Sequence, residues 1–272
     1  FSMTPEADER LGYASAISGN TAVVAAQFQG PNIDVVVYER NTSTGVWAAK
    51  ATLAASNPEQ AEAGHTVSVD GNTILLGSKG SSVRAYLFTR NATTGAWEQT
   101  QSILRSGDFT ASFVDISGDY ATIGTSKNNY SLATQSTQIY HKQVNGTWAL
   151  DSEIFNTSQY AWINPVISGN TIAAFRTSPG GNSFSAISIF ERNASNGWDI
   201  VKTINVSGNT IGFNFALKGD TLLLGSPVQL YSRNTGGSNN WGLLKTYQEP
   251  TSQMDTGFAI AINTDGPNVI IS

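Results

Sequence analysis

Few side chains in this sequence are equipped for chemistry. It holds no Cys and only two His, His65 and His141, beside 20 Asp plus Glu and 15 Lys plus Arg. Without a thiolate there is no disulfide framework, no sulfur nucleophile and no Cys-ligated zinc. Two imidazoles leave a narrow basis for acid–base catalysis or metal binding. A Ser–His–Asp set would have to assemble in space, since no G-x-S-x-G turn occurs. His65 stands in a slot that other repeats fill with an aromatic residue, so it reads as a packing residue. His141, next to Lys142, reads as solvated. Acids gather at Glu6, Asp8 and Glu9 and again at Glu59 and Glu62. Paired carboxylates can hydrolyse glycosides, but equivalent positions in successive repeats point to a solvated acidic rim.

The chain that must position these groups has 272 residues and a net charge of -5, with 13% charged residues, about half the roughly 25% usual in soluble proteins. Apolar residues at 40% and aromatics at 10% suffice for a core. Abundant Ser, Thr and Asn and 26 Gly favour strands and tight turns over helices. The negative charge offers phosphates no attractive field, so nucleic acid is not expected as a partner. No apolar run approaches 18 residues, so no membrane insertion is expected in this segment.

Internal repetition is the strongest signal. A short turn recurs at Ser18-Gly19-Asn20, Asp70-Gly71-Asn72, Ser117-Gly118-Asp119, Ser168-Gly169-Asn170, Lys218-Gly219-Asp220 and Asp265-Gly266, with glycines 52, 47, 51, 50 and 47 residues apart. Each turn leads into an apolar run such as Ile74-Leu75-Leu76 or Leu222-Leu223-Leu224. In step with it, Trp47, Trp97, Trp148, Trp198 and Trp241 each precede an apolar residue by six positions, on one face of a strand. These Trp residues read as packing between repeats.

Each unit of about 50 residues therefore reads as four antiparallel strands, A to D. Strand B is nearly all apolar and should be buried on both faces; strands C and D alternate and should keep a solvated side. The expected fold is all-β: a propeller of four-stranded blades, with six repeats at approximately 12–63, 64–109, 110–160, 161–211, 212–256 and a partial 257–272. Residues 1–272 read as one propeller domain, six- or seven-bladed when intact. Six units need roughly 300 residues, so the chain is expected to be a fragment of a longer one, or a ring completed by another segment.

The residues Gly12-Tyr13-Ala14-Ser15-Ala16-Ile17-Ser18-Gly19-Asn20-Thr21-Ala22-Val23-Val24, then Val35-Val36-Val37-Tyr38 and Gly45-Val46-Trp47, resemble FG-GAP repeats, the blades of the integrin α-subunit head. The likeness runs over essentially the whole chain, although the opening Phe-Gly signature is degraded. The resemblance implies a propeller that in integrin-like blades holds Ca²⁺ in a D-x-D-x-D-G loop. Here the A–B turns are tight, with at most one or two acids such as Asp70 or Asp119. Too few oxygens are available, so neither Ca²⁺ nor another metal or cofactor is expected.

Strand order puts the A–B and C–D turns on one face and the long, variable B–C and D–A loops on the other. Binding specificity usually resides on such loops. The candidates there are Phe28, Asp34, Tyr130, Tyr160, Trp162, Arg176 and Phe184. Sequons at Asn41, Asn91, Asn145 and Asn193 fall in one C–D turn position and are the glycosylation candidates. Taken with the resemblance, these features give an expectation of a non-catalytic extracellular or cell-surface propeller. It would serve adhesion, or form a structural unit of an assembly, through other proteins, glycans or further copies of itself. A carbohydrate-binding lectin is the alternative, and a glycan-acting hydrolase a second.

Overall fold

The computed structural model describes residues 10–27, 33–56, 62–79, 84–104, 111–126, 136–155, 161–177, 184–206, 215–225, 228–247, 260–262 and 269–271. Strands follow one another in antiparallel order. The first sheet is β1 (Arg10–Ser18), β2 (Thr21–Gln27), β3 (Ile33–Arg40) and β4 (Trp47–Leu53). The second is β5 (Glu62–Asp70), β6 (Thr73–Lys79), β7 (Arg84–Arg90) and β8 (Trp97–Leu104); the third is β9 (Ala111–Ser117), β10 (Tyr120–Ser126), β11 (Ser136–Lys142) and β12 (Trp148–Phe155). The fourth is β13 (Ala161–Ser168), β14 (Thr171–Thr177), β15 (Phe184–Arg192) and β16 (Trp198–Asn205). The fifth is β17 (Phe215–Lys218), β18 (Thr221–Leu224), β19 (Gln229–Ser232) and β20 (Gly242–Thr246). A bridge between Lys79 and Ala111 joins the second and third sheets, and β21 (Ile260–Ile262) pairs with β22 (Val269–Ile271) alone.

The fold is thus all-β, with five four-stranded antiparallel sheets, as in a β-propeller. The expectation of a six- or seven-bladed ring is corrected to five blades. Of the sixth repeat, the described residues form only the pair β21 and β22, not a four-stranded blade.

The repeated glycine turns form because two central residues must reverse a twisted antiparallel pair. Ser18 pairs with Thr21 across Gly19-Asn20, and Gly19 has φ +56°, the positive value wanted at the first central position of a two-residue hairpin. Every residue of β6 except Lys79 is buried, as its apolar run required. Its side chains alternate between two interfaces. Ile74 and Leu76, with Tyr86 and Phe88 of β7, pack on Val23, Val35 and Val37 of the first sheet. Leu75, with Ala85 and Leu87, packs on Val114, Ile116 and Ile123 of the third. Each fully buried Leu or Ile contributes about 1.5–3 kcal/mol of transfer free energy.

The chain divides into two compact units, residues 1–129 with 137–153 and residues 130–136 with 154–272. The core of the second is built from Phe175, Ile187 and Ile189 facing Phe215, Leu222 and Trp241. Phe175 and Phe215 meet edge to face at 4.9 Å.

Candidate functional site

In the first unit a two-residue bulge interrupts the same place in β1 and β5. Pairing skips Gly12 and Tyr13 between Leu11 and Ala14, and skips Gly64 and His65 between Ala63 and Thr66. Gly12 and Gly64 take φ +82° and +99°, which a side chain would resist. Bulges of this kind re-aim the side chains they carry. Here they turn Tyr13 and His65 toward each other, with the Tyr13 hydroxyl 2.8 Å from His65 Nδ1 and ring centroids 5.4 Å apart.

His65 is half-buried and Tyr13 exposed. Burial, and secondarily the Lys79 ammonium, hold the His65 pKa below its ordinary 6.5. The imidazole is therefore neutral at pH 7. When Nδ1–H donates to Tyr13, Nε2 is left with a free lone pair and can take a proton from water. When the phenol donates instead, Nε2–H can polarise a carbonyl. Lys79 ends β6 at the loop face, where a cation can also stabilise a developing oxyanion. Among the described residues no group of three or more His, Cys, Asp or Glu is placed to hold a metal ion.

Of the residues singled out from sequence, Asp34 lies exposed on β3 opposite Ala26, at the same loop-facing end. In the second unit Arg176 is half-buried on β14, paired with Trp162 of β13 and Ala186 of β15. Trp162 and Phe184 lie on described strands, but their side chains fall outside the described residues, as do Phe28, Tyr130 and Tyr160 entirely. The sequence reading of His65 as a packing residue missed its bond to Tyr13. Its signal was present: the two residues follow the opening glycine of successive repeats, 52 positions apart. His141 is half-buried rather than solvated, stacked on Tyr120 with ring centroids 4.6 Å apart.

The repeated markers do structural work between neighbouring sheets. Ser18 Oγ accepts from Gly71 N at 3.2 Å, Asp70 accepts from Gly118 N at 2.6 Å, and Ser168 Oγ accepts from Gly219 N at 2.8 Å. Trp97 Nε1 and Arg90 donate to Glu39 of the preceding sheet at 3.3 and 3.1 Å. In the second unit Trp241 Nε1 and Arg233 donate to Glu191 in the same way. Trp148 and Trp241 are buried. Trp97, Trp148 and Trp241 thus tie their sheets to the neighbouring ones.

No model of a known protein family matches the chain, and no curated protein does. Among solved structures it is similar to a periplasmic gluconolactonase from Pseudomonas aeruginosa, at 16% identity and a TM-score of 0.52, over 86% of this chain and 69% of that one. It is similar to a Bacteroides uniformis protein assigned as a 6-phosphogluconolactonase, at 13% identity and a TM-score of 0.51, over 87% and 84%. Sqt1 from Saccharomyces cerevisiae matches at 11% identity and a TM-score of 0.50, over 97% and 80%. At such identities the likeness establishes the fold alone.

That fold is a β-propeller, and the finding corrects three expectations. The FG-GAP resemblance is not upheld: these structures are not integrin heads, and no family model matches. Short glycine turns before apolar runs belong to four-stranded blades in general, so they could not single out one propeller family. The non-catalytic adhesion reading rested on that resemblance and falls with it. So does the expectation that the chain is not an enzyme, because two of the similar structures are named as lactonases.

Proposed function

We infer that the protein is a propeller hydrolase that opens a cyclic ester of the sugar-lactone class. The hydrogen-bonded Tyr13–His65 pair at the loop-facing end of β1 and β5 carries this reading. Likeness to a gluconolactonase and to an assigned 6-phosphogluconolactonase supports the substrate class. In the proposed reaction His65 Nε2 removes a proton from water as the oxygen bonds to the lactone carbonyl carbon. Tyr13 Oη accepts from Nδ1–H, which holds the tautomer and supports the imidazolium. Lys79 offsets negative charge on the carbonyl oxygen. Collapse breaks the ring C–O bond, and His65 returns the proton to the leaving alkoxide, giving the hydroxy acid. A location outside the cytoplasm accompanies this reading, supported by the periplasmic gluconolactonase.

The test is proton release from glucono-δ-lactone and its 6-phosphate by the whole chain at constant pH, with spontaneous hydrolysis subtracted. Catalysis should be measurable, and His65→Gln should reduce kcat/KM by about 10²-fold or more. Tyr13→Phe should give a smaller loss. A rate no greater than background with both lactones, or a His65→Gln variant as fast as the native chain, would overturn the assignment.

A further inference from the structure

The four C–D turn sequons are not equivalent in the fold. In each, the Asn side-chain carbonyl accepts from the backbone two residues on. Asn41 Oδ1 takes Ser43 N at 2.9 Å, Asn91 takes Thr93 N at 2.9 Å, Asn145 takes Thr147 N at 3.0 Å and Asn193 takes Ser195 N at 2.9 Å. This leaves Nδ2, the atom that would carry a sugar, to other partners. Asn91 Nδ2 donates to Glu98 at 3.1 and 3.3 Å, and Asn193 Nδ2 donates to Asp199 at 3.0 Å. Asn41 and Asn145 Nδ2 make no hydrogen bond among the described residues. For Asn91 and Asn193 the acceptor is the residue after the turn's Trp, Glu98 or Asp199. After Trp47 that residue is Ala48, and Asn145 stands two positions beyond Gln143, which fills the place of the other three Asn in its turn.

A second observation singles out the same pair. An exposed Val stands beside each: Val144, fully exposed, directly precedes Asn145, and Val46, 56% exposed, lies across the turn from Asn41 and accepts from its N–H at 2.8 Å. In the other two turns the place of Val46 is taken by Ala96 and Gly197, and the residues directly before Asn91 and Asn193 are Arg90 and Arg192. A bare Val on a turn is apolar surface with nothing covering it, and the first sugar on the adjacent Asn would cover it. Both Asn41 and Asn145 are exposed, and the turns project from the outer strands of their sheets.

We propose that Asn41 and Asn145 are N-glycosylation sites, with Asn91 and Asn193 disfavoured. The donor class is an oligosaccharide joined through C1 to an isoprenoid pyrophosphate, used by a membrane transferase. Asn Nδ2 attacks C1, the N–C1 bond forms and the C1–O bond breaks. The pyrophosphate leaves with the electron pair, and Nδ2 loses one proton. Ser43 and Thr147 complete the two acceptor motifs. Thr147 Oγ1 already donates to Asn145 Oδ1 at 2.7 Å, polarising the amide to be modified.

The experiment secretes the whole chain from a eukaryotic cell line and measures occupancy at each sequon by enzymatic deglycosylation in ¹⁸O water and peptide mass spectrometry. High occupancy is expected at Asn41 and Asn145, and at least severalfold lower occupancy at Asn91 and Asn193. Exchanging the controlling residue should exchange the behaviour: Glu98→Ala raises occupancy at Asn91, and Ala48→Glu lowers it at Asn41. Both substitutions are on the exposed face of an outer strand and distant in sequence from His65, so secreted yield reports folding separately. Unmodified Asn41 and Asn145, equal occupancy at all four sequons, or no response to the exchanges would overturn the proposal. A mass gain of one dalton at Asn145 without ¹⁸O would be deamidation at Asn145-Gly146 and would count against it.

Discussion

His65 is neutral at pH 7 because water is partly withdrawn from it and a cation stands nearby. Both effects penalise the imidazolium, burial more than Lys79. The consequence for activity is directional. As a base, His65 must be unprotonated, so kcat/KM should rise with pH through a midpoint below 6.5 and be flat at neutrality. A midpoint above 6.5 in the pH–rate profile would contradict the environment described. The same depression links to folding. With the folded pKa lower than the unfolded one, the stabilisation is present above pH 6.5. It is lost as pH falls through that value toward the folded pKa. Urea midpoints measured from pH 7.5 to 5 should therefore fall more steeply in the native chain than in His65→Gln.

Between neighbouring sheets, the decisive element is the end of strand C. Arg233, following β19, donates to Glu191 and Asp220, reaches Thr171 Oγ1 at 2.7 Å and lies 4.9 Å from the Trp241 ring. Glu191 also accepts from Asn239 at 2.8 Å and from Trp241. The pair is largely withdrawn from solvent, with side chains 22% and 19% exposed, so it is worth more than a surface ion pair. Removing one partner strands the other's charge. Arg233→Ala should cost about 2 kcal/mol or more in urea unfolding. Arg233→Lys should not restore it, because an ammonium cannot span three acceptors in a plane while covering an indole face. The equivalent Glu39, Arg90 and Trp97 form a more exposed version, where the loss should be smaller.

At the scale of the whole molecule, every complete sheet buries its second strand most deeply. Ile74 to Leu76, Ile172 to Ala174 and Leu222 to Leu224 are at most 1% exposed, whereas β4, β8, β16 and β20 are largely open. Native-state hydrogen exchange should rank the sheets internally in the same way. Amides of β6, β14 and β18 should exchange slowest, and those of the fourth strands fastest. Uniform protection across each sheet would mean that the outer strands are held by something beyond the contacts seen here.

The sequence by itself determined the strands and their turns. A 50-residue period, apolar runs with residues on both faces and glycines where φ must be positive are local facts, and local geometry reads them out. It pointed to packing for the Trp series, but not to its geometry. A one-residue bulge in β4, β8 and β16 turns each Trp and the apolar residue six positions on to opposite faces, so that Trp97 packs toward the first sheet and Ile103 toward the third. What only the tertiary structure decided is which repeats touch through which atoms. Tyr13 and His65 meet because both bulges displace register by two residues, so that side chains of adjacent first strands converge. That displacement depends on pairing with β2 and β6, which composition and periodicity do not encode. The turn motif likewise could not single out one propeller family. Glycine hairpins and buried second strands are what any four-stranded blade requires, and the arrangement of the blades in space is what distinguishes one propeller from another.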